Sequence, residues 1–311
     1  MTYERDGRIA RITLDRPERG NGITLEMPRE LSACVERANL DPEVHVIALA
    51  GNGSGFCGGY DLVASAEKLA EHGASADPAT PGREAEEVAG IGSEAPQGAP
   101  TDPIVQARNH DPSGTWDPVV DFQMMWRNVR GFMSLFWSEK PAVCKVHGFC
   151  VGGGTDMALC ADLLVVADDA KIGYPPARVW GVPTTAMWAH RLGPARAKRL
   201  LLTGDSLTGA QALEWGLATE AAPADQLGAV FESLLERVAR LPVNQLVMHK
   251  LQVNQAVLSQ GLEQAQLIST LMDGIARHTP EGFAFQQRAA EAGFKQAVRE
   301  RDEPFGDFGL E

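Results

Sequence analysis

Apolar and polar residues alternate from Ile9 to Leu14 and predict a strand, and the run Val44 to Ala50 predicts a second, buried one. Between them Thr24-Leu25-Glu26-Met27 opens a helical pattern, carried by Leu31, Val35 and Ala38 and broken at Asn39-Leu40-Asp41-Pro42. Ala142 to Val146 reads as a further buried strand, and strand and helix patterns recur through Ala167. From Phe122 to Trp137, Met125, Val129, Phe132, Met133 and Phe136 fall at helical spacing and predict a core-facing helix. After Pro223 the chain reads as almost wholly helical, in segments near 226–240, 243–258, 262–277 and 281–301. The third carries an apolar face, Leu262, Ala265, Ile268, Met272 and Ile275, wider than a small core covers, which predicts subunit contact. No internal repeat interrupts this order.

From Ala64 to Pro118 the periodicity lapses. Seven prolines and six glycines break the segment, and ten acidic residues outnumber three Lys/Arg. It reads as an acidic insert, either a solvated loop or a lid over a site.

Composition narrows the function classes. The chain has 311 residues, 44% of them hydrophobic and 22% charged, as in an ordinary globular protein. A net charge of -13 without a Lys/Arg run argues against nucleic-acid binding, although a local basic patch would still accept a polyanionic ligand. Five cysteines with no Cys-x-x-Cys spacing argue against a disulfide framework or a zinc site and for reduced, buried thiols. The opening Met1 to Asp6 has neither a basic nor an apolar signal region, and no apolar stretch nears the roughly 20 residues a membrane span needs. The expectation is a cytoplasmic protein without a membrane or nucleic-acid partner.

Two glycine-rich stretches carry the candidate chemistry. Gly55-Phe56-Cys57-Gly58-Gly59-Tyr60-Asp61-Leu62 follows the second predicted strand, and His147-Gly148-Phe149-Cys150-Val151-Gly152-Gly153-Gly154-Thr155-Asp156 follows the strand at 142–146. Both lie just beyond strand ends, where open α/β folds place their sites. Glycine allows close approach and unusual backbone angles, so two converging N–H groups can hold a developing oxyanion. That is a device for acyl chemistry.

The first stretch resembles the Phe-x-Ala-Gly-x-Asp-Leu signature of the crotonase (enoyl-CoA hydratase/isomerase) superfamily, and Val-His-Gly-x-x-x-Gly-Gly-Gly-x-Asp resembles its second. Ile12 to Gly22 is similar to the family's opening segment, and the likeness resumes from Leu202-Thr203-Gly204 to Gly216-Leu217. The resemblance implies an α/β protein. Residues 1–222 would form a ββα spiral core and residues 223–311 a helical region used in homotrimer or homohexamer assembly. It also implies an acyl-CoA substrate, a coenzyme A thioester, with no permanently bound cofactor and no metal. The oxyanion hole falls on Gly58 and Gly153, with Gly59, Tyr60, Asp61, Gly152 and Tyr174 around the substrate.

Asp156, three residues after Gly153, occupies a slot where hydratases of the family carry a catalytic glutamate, and is the candidate general acid/base. The second glutamate slot holds Pro176 or Ala177 instead. Substitutes are Tyr174, Arg178 and His190, or Glu67, Glu71 and His72 if the insert folds over the site. Asp61, His147 and Asp162 read as structural. Arg16, Arg19 and Lys295 are candidate contacts for the coenzyme A phosphates. The expected reaction is enoyl-CoA hydration. Isomerisation, thioester hydrolysis, C–C cleavage and a silent CoA-binding or assembly subunit are the alternatives.

Overall fold

The computed structural model describes residues 1–61 and 98–306. Its larger sheet has six strands: β1 (Thr2–Asp6), β2 (Ile9–Leu14), β3 (Val46–Gly51), β4 (Ala142–Val146), β6 (Leu163–Ala167) and β9 (Glu220–Ala222), in that order across the sheet. Only β1 runs antiparallel to its neighbour, and the other pairings are parallel. A second sheet joins β5 (Phe149–Val151), β7 (Lys171–Gly173) and β8 (Ser206–Leu207). β3, β4 and β6 are buried almost throughout, as parallel strands covered on both faces must be.

Helix α1 (Met27–Leu40) buries Leu31, Val35 and Ala38, the stripe its sequence spacing predicts. Two helices lie in the C-terminal part of the predicted insert and at its end: α2 (Pro103–Asn109) and α3 (Pro118–Trp137). Each begins with an Asp whose carboxylate accepts a backbone N–H, Asp102 from Ile104 and Asp117 from Val119, followed by Pro at the first helical position. The insert is therefore not a loop through to 118, and α3 starts four residues before Phe122. Glu67, Glu71 and His72 lie outside the described residues.

The chain continues through α4 (Gly153–Ala158), α5 (Met187–Leu201), α6 (Gly209–Glu214) and α7 (Leu227–Ala239). The C-terminal region is α8 (Val243–Leu258), α9 (Leu262–Arg277), α10 (Pro280–Ala292) and α11 (Phe294–Asp302). The segment read as one helix to Arg301 is two, because Gly293 adopts φ 86°. The five thiols are unpaired, four of them buried. Among the described residues, no helix is long and apolar enough to cross a membrane.

The polarity of α9 is inverted. Its buried positions are Leu262, Gln266, Thr270, Asp273, Gly274 and Arg277, whereas Ile268, Met272 and Ile275 are 54%, 45% and 44% exposed. Helix α8 does likewise, burying Lys250 and Asn254 while Met248, Leu251 and Val253 stay exposed. A helix that turns polar side chains inward needs partners for them there. Lys250 finds the Leu135 and Lys140 carbonyls and Asp162, and Asn254 finds the Phe136 carbonyl.

Candidate active site

The two glycine-rich segments meet. Cys57 and Cys150 form a parallel bridge, with Cys57 N–H on the Phe149 carbonyl and Val151 N–H on the Cys57 carbonyl. Gly59 (φ 93°) and Gly152 (φ 55°, ψ -129°) hold backbone angles that side chains resist, and a Cβ on Gly59 would lie 3.5 Å from the Gly153 nitrogen. The amide of Gly58 is committed elsewhere: it donates to the Gly20 carbonyl at 2.9 Å. Ile23 bonds both neighbours of Tyr60, taking the Gly59 carbonyl with its N–H and the Asp61 N–H with its carbonyl. In a parallel bridge that pattern turns the Tyr60 N–H away from Ile23. Among the described residues, neither Tyr60 N–H nor Gly153 N–H has an acceptor.

Asp156 lies in the first turn of α4 and is 1% exposed. Its Oδ1 accepts from Thr185 N–H at 3.1 Å and from the Thr185 hydroxyl at 2.8 Å. Its Oδ2 is buried and has no hydrogen-bond partner among the described residues. Burial pushes the carboxyl up to about 7, against the pull of the two Thr185 bonds, and the negative charge of Asp273 adds to the rise. A carboxyl balanced there, with one oxygen uncommitted, is suited to move a proton.

Tyr60 and Tyr174 border the same space. Burial raises both phenols well above their ordinary range, and Asp156 and then Asp273 add to it. Tyr60 Oη accepts from the Asn128 amide of α3 at 3.4 Å. The ring also abuts Gly153, where a Cβ would lie 2.7 Å from Tyr60 Cε2. Asp273 reaches in from α9, with Oδ1 3.5 Å from the Val182 N–H and Oδ2 3.3 Å from Arg277 Nε. Burial raises its carboxyl, and Arg277 opposes that most strongly. Thr185, Asn128 and Asp273 escaped the sequence reading because they sit in no glycine motif.

Other candidates are placed elsewhere or engaged. Arg16 donates to the Gly22 carbonyl and to Asp61, and Arg19 makes two bonds to Asp61, whose side chain is 6% exposed. The trio ties the first loop to the glycine segment. Arg178 is buried against Asp302, Asp205 and the Thr203 carbonyl, so it anchors α11. His147 meets the Gly53 carbonyl, and Asp162 accepts from Ala142 N–H and Lys250. His190 is partly exposed on α5 and Lys295 is exposed on α11. Pro176 belongs to a 3-10 turn (Pro175–Arg178) whose carbonyl at Pro176 accepts three backbone N–H groups, and the turn carries no acid.

His110, Asp121 and His278 bring ligating atoms within 4.8 Å of one another. Their chemistry does not fit a metal ion. Arg277 Nη2 lies 3.2 Å from Asp121 Oδ1, and the two ring nitrogens of His278 meet the Gly274 and Asn109 carbonyls. The guanidinium is the cation of this cluster.

Residues 9–84 and 121–288 match two family models, both described as enoyl-CoA hydratase/isomerase. A Mycobacterium tuberculosis protein named as an enoyl-CoA hydratase is 32% identical over 262 residues, 84% of this chain and 74% of that one. The (E)-benzylidenesuccinyl-CoA hydratase of Thauera aromatica is 26% identical, over 94% of this chain and 98% of its own. A crystal structure described as an enoyl-CoA hydratase from Mycobacterium smegmatis superposes with a TM-score of 0.87 at 54% identity, covering 99% and 95% of the two chains.

Proposed function

Since the chain belongs to the enoyl-CoA hydratase/isomerase family, within the crotonase superfamily, we propose that it hydrates a 2-enoyl-CoA thioester, with Asp156 as the group that moves the proton at the α carbon. The observation that carries this reading is the buried Asp156 carboxyl, one oxygen held by Thr185 and the other without a hydrogen-bond partner among the described residues, beside two amides that have no acceptor among them either. The thioester oxygen is held by the N–H groups of Tyr60 and Gly153. Gly58 is not the donor, because its N–H is already on Gly20. As the double bond is attacked at the β carbon, its electron pair moves toward the carbonyl and charge gathers on that oxygen, where two fixed donors are worth most. Asp156 then delivers its proton to the α carbon, and takes one from it in reverse.

The substrate is the thioester itself, without a resident cofactor. The relative acting on benzylidenesuccinyl-CoA makes an aromatic acyl group a useful probe. The outward apolar residues of α8 and α9 support a homotrimer or homohexamer, and the unpaired thiols support a cytoplasmic site of action. Isomerisation is the second reading, favoured by the absence of an acid at the Pro176 turn, since moving a double bond needs one proton shuttle and no bound water.

Turnover of trans-2-butenoyl-CoA, trans-3-hexenoyl-CoA and trans-cinnamoyl-CoA separates the two. Gain of water across a 2-enoyl bond supports hydration. Conversion of the 3-enoyl to the 2-enoyl ester without water gain supports isomerisation, and binding without turnover contradicts both.

A further inference from the structure

We propose that Asp273, on helix α9 of the C-terminal region, is the second catalytic carboxylate of the site and takes the proton from the attacking water. This rests on the hydratase reading above and supplies the group that the Pro176 turn lacks.

The geometry leads there by three routes. The inward face of α9 is polar at positions 266, 270, 273 and 277, so these side chains must find their partners inside the protein. Two residues of that face, seven apart and so on one side of the helix, hold the segment that carries Thr185: Asp273 accepts from Val182 N–H at 3.5 Å, and the Gln266 amide donates to the Thr185 carbonyl at 3.0 Å. Thr185 in turn holds Asp156. Finally, Asp156, Tyr60 and Tyr174 each feel the charge of Asp273, which places that carboxyl near the acid and both phenols.

Their surroundings divide the labour. Asp156 has neutral donors, the Thr185 N–H and hydroxyl foremost, and burial outweighs them, which leaves the neutral acid accessible near neutrality. Burial raises the Asp273 carboxyl too, but the Arg277 guanidinium 3.3 Å away opposes that rise and draws it toward the ionised form, a pull that Asp156 lacks. The groups facing Asp273 are Arg277 on its own helix, Asp121 and His110 beyond that guanidinium, and Asp156, Tyr60 and Tyr174 across the site. In the forward step water loses a proton to Asp273 and its oxygen bonds to the β carbon. The π pair moves to the thioester as an enolate, and Asp156 gives its proton to the α carbon. Solvent then returns the proton from Asp273 to Asp156, so atoms and charge balance.

Asp273→Asn is compared with Asp156→Asn in the full-length protein, each checked for its melting transition and for binding of butanoyl-CoA. Two rates are read: hydration of trans-2-butenoyl-CoA, and solvent-deuterium exchange at the α carbon of butanoyl-CoA, which involves no water addition. Asp273→Asn is expected to lower hydration at least 100-fold and exchange less than tenfold, with Asp273→Glu recovering part of the hydration. Hydration within about threefold of wild type, or equal loss of both rates in a folded variant, overturns the assignment; equal loss would make Asp273 only a holder of Asp156. If Asp273→Asn does not fold, Arg277→Lys is expected to move the acid limb of the hydration pH profile upward, and an unmoved limb overturns it. Unchanged exchange in Asp156→Asn would instead sink the underlying reading.

Discussion

A buried carboxyl whose donors are all neutral holds its proton to higher pH than a solvated one, and Asp156 is such a group. Its ordinary value near 3.8 rises to about 7 because burial outweighs the two Thr185 bonds. The folded chain therefore binds a proton between those values that the unfolded chain releases. The stabilisation is present in full below about pH 4 and is lost as pH rises through about 7, with a slope of up to about 1.4 kcal/mol per pH unit. Denaturant unfolding from pH 4 to 8 should show this fall in wild type and a smaller one in Asp156→Asn; identical slopes would mean that Asp156 does not titrate in this range. The position of Asp156 was legible from the glycine triplet three residues before it. Its environment was not, because Thr185 and Asp273 come from segments 29 or more residues away that carry no motif.

Helix α9 shows where pattern reading stops. Its period was legible, since Leu262, Ala265, Ile268, Met272 and Ile275 recur at helical spacing. Which side faces inward was not, because a polar stripe reads as a solvated face unless its buried partners are known. Here those partners are the Val182 to Thr185 segment and Asp121 of α3. Gly274 lets the two helices approach: a Cβ there would lie 3.1 Å from Asp121 Cβ, tighter than ordinary packing. Gly274→Ala should push α9 outward and destabilise by about 1–3 kcal/mol despite the better helix propensity of alanine. Its hydration rate should fall as Asp273 is displaced. A melting temperature at or above wild type would contradict this account of the helix contact. The element boundaries missed from sequence have equally local causes: Asp102-Pro103 and Asp117-Pro118 start helices inside a segment that reads as loop, and Gly293 splits a pattern that reads as continuous.

At the scale of the whole molecule, the proposed site and the proposed assembly surface fall on opposite sides of one helix, α9. The inward side of α9 reaches Thr185 and the acids, while Leu267, Ile268, Leu271, Met272 and Ile275 stay exposed, a patch that one subunit leaves uncovered. Light scattering at micromolar concentration should report a trimer or hexamer, and Ile268→Glu with Met272→Glu should shift it toward monomer; a wild-type monomer would contradict the assembly. The family was legible from the two glycine signatures, yet the choice among its reactions turns on carboxylates that only the folded chain brings together. The most direct test of the central claim is solvent-deuterium incorporation at the α carbon of butanoyl-CoA, followed by mass spectrometry in wild type and Asp156→Asn. The account predicts exchange in wild type and a loss of at least about 100-fold in the variant, with thioester binding retained. Exchange at the wild-type rate in Asp156→Asn would contradict it.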